Sequence, residues 1–234
     1  MTIRHGLLAV LFASSGAGSA LAQSGLVHPM PDAGWYFGVR AIAGASDEDT
    51  SFRTLPGGAV ASEEDSYNPQ ENFGAGAMVG YGFSAWGIPL RTELSGSWMY
   101  RHDADMRAFT PGAVLYQNNL EIWDARLSLL ADVLRFGWGR FYIGGGIGAA
   151  LLNSEVEIEA TGVSADNREW KLSPSAQAGI VFDDLLWNAD LELGYRFRWF
   201  GDTDSGLFPD GAQIDYENAH IHEVTLGVVV PFGR

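Results

Sequence analysis

Eight segments with a two-residue alternation of side-chain character run through this chain, and the connections between them alternate between long and short. The segments span 34–44, 73–84, 90–101, 119–136, 140–153, 171–183, 188–201 and 220–232. Each is rich in aromatic, β-branched or small residues and is bounded by turn formers, as strands are. The links run long (45–72), short (85–89), long (102–118), short (137–139), long (154–170), short (184–187) and long (202–219). A membrane barrel with short turns at one end and longer loops at the other has a physical reason to sort its connections this way. A soluble β-sandwich also yields many short strands, but nothing in its packing orders connections by length.

The two faces of the strands differ in chemistry. In 188–201, Leu191, Leu193, Tyr195, Phe197 and Trp199 share one face, while Asp190, Glu192, Arg196 and Arg198 share the other. In 90–101, Leu90, Leu94, Trp98 and Tyr100 oppose Arg91, Glu93, Ser95 and Ser97. A soluble barrel turns the apolar face inward; a membrane barrel turns it outward, because lipid is then the outer solvent and only a closed sheet satisfies its backbone. Three features favour lipid outside. Residues 1–22 read as a secretory signal peptide, with Arg4 and His5, a short apolar run and Ala20-Leu-Ala22 before Gln23. Aromatic residues sit near strand ends (Trp35, Trp86, Trp98, Tyr100, Trp123, Trp138, Tyr142, Trp187, Trp199), as in two interfacial girdles. The last segment alternates Val224, Leu226, Val228, Val230 and Phe232.

The expected architecture is therefore all-β: an eight-stranded antiparallel up-and-down transmembrane β-barrel over 34–234. A signal peptide (1–22) and a periplasmic lead-in (23–33) precede it, and the protein is exported to the cell outer membrane. Its lumen would receive Arg40, Arg91, Glu93, Asp124, Arg126, Asp132, Asp190, Glu192, Arg196, Arg198 and Glu223. Eight strands leave an interior just wide enough for side chains. Charges of both signs there should pair, since guanidinium forks bond carboxylates bidentately and a lone buried charge is costly. The expected lumen is plugged by salt bridges; the competing reading is a narrow porin-like channel for small solutes.

Composition excludes other classes. With 14 basic against 29 acidic residues, the chain lacks a footprint for nucleic acid. The absence of cysteine removes disulfide scaffolds, thiol nucleophiles and cysteine-bound metals. The run Gly144-Gly-Gly-Ile-Gly148 has no strand-to-helix context and no lysine, so it reads as barrel glycine rather than a phosphate loop.

Other candidate sites lie toward the loop end. His220 and His222, with Asp202 and Asp204 on the preceding segment, offer donors for a zinc-like ion. Loop 45–72 holds Asp47, Glu48, Asp49, Glu63, Glu64, Asp65 and Glu71 against Arg53 alone, and 202–219 holds five acids and no base. Such loops would bind divalent cations diffusely or stay solvated. Arg101 and Lys171, the only lysine, sit at strand ends where lipopolysaccharide phosphates would lie. A lipid A-modifying enzyme would need a Ser, a His and an acid together at the outer rim, and His220-Ile-His222-Glu223 does not make a defensible triad.

Five segments in order carry a family resemblance: Gly34-Trp-Tyr-Phe-Gly-Val-Arg40, Gly74-Ala-Gly-Ala-Met-Val-Gly-Tyr-Gly82, Arg140-Phe-Tyr-Ile-Gly-Gly-Gly-Ile-Gly148, Leu191-Glu-Leu-Gly-Tyr-Arg196 and His222-Glu-Val-Thr-Leu-Gly227. Together they resemble the outer-membrane β-barrel family of opacity-protein-like and OmpA-like surface proteins of Gram-negative bacteria. The chain departs from that pattern in ending Phe232-Gly-Arg234 rather than on an aromatic residue. The resemblance implies a monomeric barrel that acts as a surface antigen, adhesin or envelope-stabilising protein, without catalysis or cofactor. Its partners would be outer-membrane lipid, lipopolysaccharide and an extracellular ligand of the acidic loops.

Overall fold

The structure, a computed structural model, describes residues 33–54, 61–62, 70–108, 114–158, 162–186, 189–209 and 212–232. The signal peptide, nearly all of the lead-in and the last two residues lie outside them, as do Trp187, Glu63, Glu64, Asp65 and the side chains of Asp47, Glu48 and Asp49. The strands are β1 (Gly34–Thr54), β2 (Ala61–Ser62), β3 (Gln70–Ala85), β4 (Ile88–Ala108), β5 (Val114–Phe136), β6 (Gly139–Ile158), β7 (Val163–Leu186), β8 (Ala189–Leu207) and β9 (Ala212–Pro231). All neighbours pair antiparallel, and β1 pairs β9, so eight strands form a closed ring while β2 is a short addition to the far end of β1. Closure abolishes the free edges that an open sheet would expose. The short turns cluster at one end; in the one between β3 and β4, Trp86 and Gly87 both take positive φ (52° and 77°), the pattern of a type I′ hairpin.

Most of the stretches expected as long loops are paired strand. β4 continues to Ala108, β7 begins at Val163, and β8 and β9 leave only a short connection between Leu207 and Ala212. The alternation persists in these extensions, but its sense reverses. Over the lower part of the wall, Val39, Leu94, Leu127, Ile143, Ile147, Leu193, Val224 and Leu226 face outward, while arginines and carboxylates are buried within. Farther along the same strands the outward residues are Glu155, Glu157, Asp166, Arg168, Asp202 and Glu217. There Val156, Ala165, Phe208, Ile214 and Tyr216 form an apolar core inside.

The reversal falls at an aromatic girdle of Phe73, Trp98, Tyr100, Trp123, Trp170 and Trp199, all exposed. A second girdle at the short-turn end contains Trp35, Trp86, Trp138 and Phe232. On β3 the two girdles are marked by Phe73 and Phe83, ten residues apart. At about 3.3 Å per residue and a tilt of about 40°, that is about 25 Å, the height of the apolar band of membrane barrels. The outer solvent therefore changes from lipid to water at the upper girdle.

One ladder is incomplete. β7 and β8 pair from Leu186↔Ala189 only as far as Ser175↔Arg198, although both strands run on. The next residue of β7 is Pro174, which has no N–H to donate to a continuing ladder. On the other side of β8, register shifts begin at Trp199/Gly201, and Gly201 has φ of 74°. Above the break, side chains bridge the strands. Asn167 Nδ2 donates to the Asp204 carbonyl at 2.9 Å, and Thr203 Oγ1 donates to Glu169 Oε2 at 3.1 Å.

Candidate functional site

The lumen follows from parity: buried residues recur at every second position, as at Arg91, Glu93 and Ser95 of β4 and at Arg196, Arg198 and Phe200 of β8. Nearest the short turns, Arg91 is the hub. Its Nε reaches Asp132 at 3.1 Å, and its Nη1 lies 3.5 Å from Glu93 and 3.8 Å from Glu192. Arg40, on β1 between β4 and β8 in the ring, meets Glu93 at 3.2 Å and Glu192 at 3.9 Å. Arg140 contacts Asp132 at 3.4 Å, Asp190 at 3.1 Å, and Asp183. Two tyrosines complete this tier: Tyr36 OH donates to Glu93 at 2.9 Å, and Tyr142 OH donates to Glu192 at 3.2 Å. The Arg91 guanidinium lies 4.8 Å from the Tyr142 ring centroid, within cation–π range. Room for Tyr142 comes from glycine: a Cβ on Gly179 or Gly194 would sit 2.6 or 2.7 Å from its hydroxyl.

A second tier lies above. Arg126 binds Asp124 at 3.0 Å and donates to the Ser173 carbonyl at 2.8 Å and to Ser175 Oγ at 2.7 Å. Arg196 Nε reaches Glu223 at 2.6 Å, and Arg198 contacts Glu223 and, at 3.9 Å, Asp124. Gly148 in the glycine run leaves room for this tier, since a Cβ there would stand 2.6 Å from Asp124 Oδ2. Over both tiers closes an apolar layer of Ile42, Met99, Ile122, Leu152, Phe200 and Ile221. A cavity of about 30 Å³ sits at the level of that layer, with Arg101, Asn118, Glu169 and Tyr216 among its lining.

All eleven residues expected in the lumen are placed there, each buried. Sequence reasoning misses Arg140 and Tyr36, and the expectation of Tyr142 in an interfacial girdle is corrected: it is 2% exposed and lies in the lumen. The parity that opposes Arg140 and Tyr142 to the outward Ile143 and Ile147 is a signal that places both of them inward.

Two expectations at the outer rim are corrected. Arg101 shares the inward parity of Arg91 and Glu93, is 2% exposed and donates to Ser46 Oγ at 3.0 Å, so it does not face lipopolysaccharide. Lys171 has the inward parity of Ser173 and binds Glu169 Oε1 and the Asp202 carbonyl, each at 2.5 Å.

The metal expectation is corrected as well. His220 and His222 face outward among Tyr195, Phe197 and Trp199, where His222 Nδ1 lies 2.6 Å from the Tyr195 hydroxyl. Asp204 accepts from Asn167 and from the Gly206 N–H, and Asp202 accepts from the Asn218 N–H. Among the described residues, no group of three His, Asp or Glu is arranged to hold a metal ion. His222 and Glu223 point to opposite sides of the wall and do not form an acid–base pair.

No protein-family model matches the chain, and no curated protein matches it in sequence. Solved structures do. The outer membrane protein OprG from Pseudomonas aeruginosa aligns over 84% of this chain and 95% of its own, at 11% identity and a TM-score of 0.52. The outer membrane protein AlkL aligns over 89% and 94%, at 17% identity and a TM-score of 0.45. Neisserial surface protein A aligns over 84% and 97%, at 15% identity and a TM-score of 0.43. The ring topology together with the OprG match establishes the fold of outer-membrane β-barrels.

Proposed function

We propose that this chain is a non-enzymatic surface scaffold of the outer membrane, plugged by its lumen ion pairs and presenting a β-structured extension to an extracellular partner. The observation that carries the reading is the filled interior. Two tiers of buried ion pairs and an apolar layer occupy successive cross-sections of a barrel whose eight strands leave little space besides side chains. The extension supports the second half of the reading. It is built of paired strands with acidic outward residues, and binding commonly resides on such surfaces held by a scaffold. An adhesin-like or antigenic role, with divalent cations screening the acidic surface, fits this geometry. The lipid contact is made by the apolar band and its girdles rather than by Arg101 and Lys171.

Single-channel recording of the refolded barrel in a planar bilayer tests the proposal, with Arg91→Gln, Glu93→Gln and Arg196→Gln variants alongside. The scaffold reading predicts silence from folded wild type. Discrete openings that the variants alter would overturn it in favour of the narrow channel.

A further inference from the structure

The upper lumen tier does not balance its charge. Arg126, Arg196 and Arg198 face Asp124 and Glu223, three cations against two carboxylates, and all five side chains are at most 3% exposed. The guanidiniums of Arg196 and Arg198 repel each other and that of Arg126, and Arg40 repels Arg196 from below. The lower tier does not compensate directly. Counting Arg135, which pairs with Asp183 at 3.8 Å, it sets five carboxylates against four arginines, and Glu192 among them is turned to Arg40, Arg91 and Tyr142.

Donors are in excess as well as charge. Arg196 Nη2, Arg198 Nε and Nη1 and Gln177 Nε2 are buried without an acceptor, against one carboxylate oxygen of the tier, Glu223 Oε1, that meets Arg198 as an ion pair but accepts no hydrogen bond. Gln177 and Arg196 are direct partners across the β7–β8 ladder, both inward, so their side chains start about 5 Å apart. Glu223, on the other side of Arg196, is already bonded by Arg196 Nε and Arg198. Buried donors of this kind nearly always find a partner, and a surplus of N–H groups around a net positive charge selects an acceptor that is itself negative. A water molecule would satisfy one or two donors and leave the charge.

We propose that the lumen holds one small monovalent inorganic anion, of the halide class, between Arg196, Gln177 and Arg198. The apolar layer of Met99, Phe200 and Ile221 covers the site from the water side, so the anion is a structural part of the plug, taken up as the barrel closes.

The test uses the full barrel refolded in detergent, either in chloride or in gluconate at equal ionic strength, with melting followed by tryptophan fluorescence. Chloride should raise the melting temperature by about 3 °C in a saturating manner. Gln177→Glu supplies the missing negative charge covalently; this variant should be at least as stable in gluconate as wild type and should lose the chloride response. Diffraction from wild-type crystals grown in bromide should show an anomalous peak in contact with Arg196 Nη2, an observation independent of how the variant folds. Equal melting in the two salts, an undiminished chloride response in Gln177→Glu, or no bromide peak would each overturn the proposal.

Discussion

The lower and upper halves of the barrel are made from the same strands yet obey opposite rules. Below the upper girdle, β6 presents Ile143, Ile147 and Leu151 on one face; beyond it, the face that continues from them carries Glu155 and Glu157. Inside, the sequence of environments also turns over, from Arg91, Asp132 and Glu192 to Val156, Ile214 and Tyr216. The β5–β6 and β6–β7 ladders are continuous across the change. What differs is the outer solvent: lipid leaves polar groups no place but the lumen, whereas water allows the ordinary arrangement of apolar core and charged surface. Position along a strand, not strand identity, therefore decides what a substitution does.

The largest effect is expected in the lower half. Glu93→Gln removes a charge shared by Arg40, Arg91 and the Tyr36 hydroxyl, and should cost about 3–5 kcal/mol, read from urea unfolding in detergent micelles. In the upper half the damaging change is of the other kind. Ile214→Ala, in the apolar core of the extension, should cost about 3 kcal/mol. It should expose the extension to protease while the lower barrel keeps its heat-modifiable gel migration. A matched pair of surface substitutions sharpens the contrast. Leu226→Lys on the lipid-facing wall should destabilise by about 2–4 kcal/mol, and Glu155→Lys on the water-facing wall should stay within about 0.5 kcal/mol. Smallest of all, Pro174→Val restores an N–H where the β7–β8 ladder stops. It should slow amide exchange locally, around Trp199 and Phe200, with little change in global stability.

How much of this could be read from the chain follows from the same contrast. Alternation and the ordering of connection lengths revealed the eight strands and the inward face, because both are local. The extensions read as loops in the sequence because the apolar alternation ends at the girdle, although Glu155 and Glu157 still alternate with Val156. Position along the strand puts Arg101 and Lys171 at the rim, whereas parity turns them inward. The pairing of charges was not readable at all. Tyr36 and Glu93 are 57 residues apart, and only the registers of β1, β3 and β4 bring them within 2.9 Å. The break at Pro174 was visible as a proline in a strand, but which neighbour it faced depends on the closed ring.

The central claim is that the outer face of the barrel passes from lipid to water at the upper girdle. The chain has no cysteine, so single cysteines can be placed at exposed outward positions along β6, from Ile143 through Ile147 and Ala149 to Glu155 and Glu157. Spin labels at these sites in lipid bilayers report collisions with oxygen, which partitions into lipid, and with a water-soluble nickel chelate. Oxygen should dominate up to Ala149 and the chelate from Glu155 onward. Chelate access at every position from Ile143 upward would mean that the wall faces water throughout and would contradict the account.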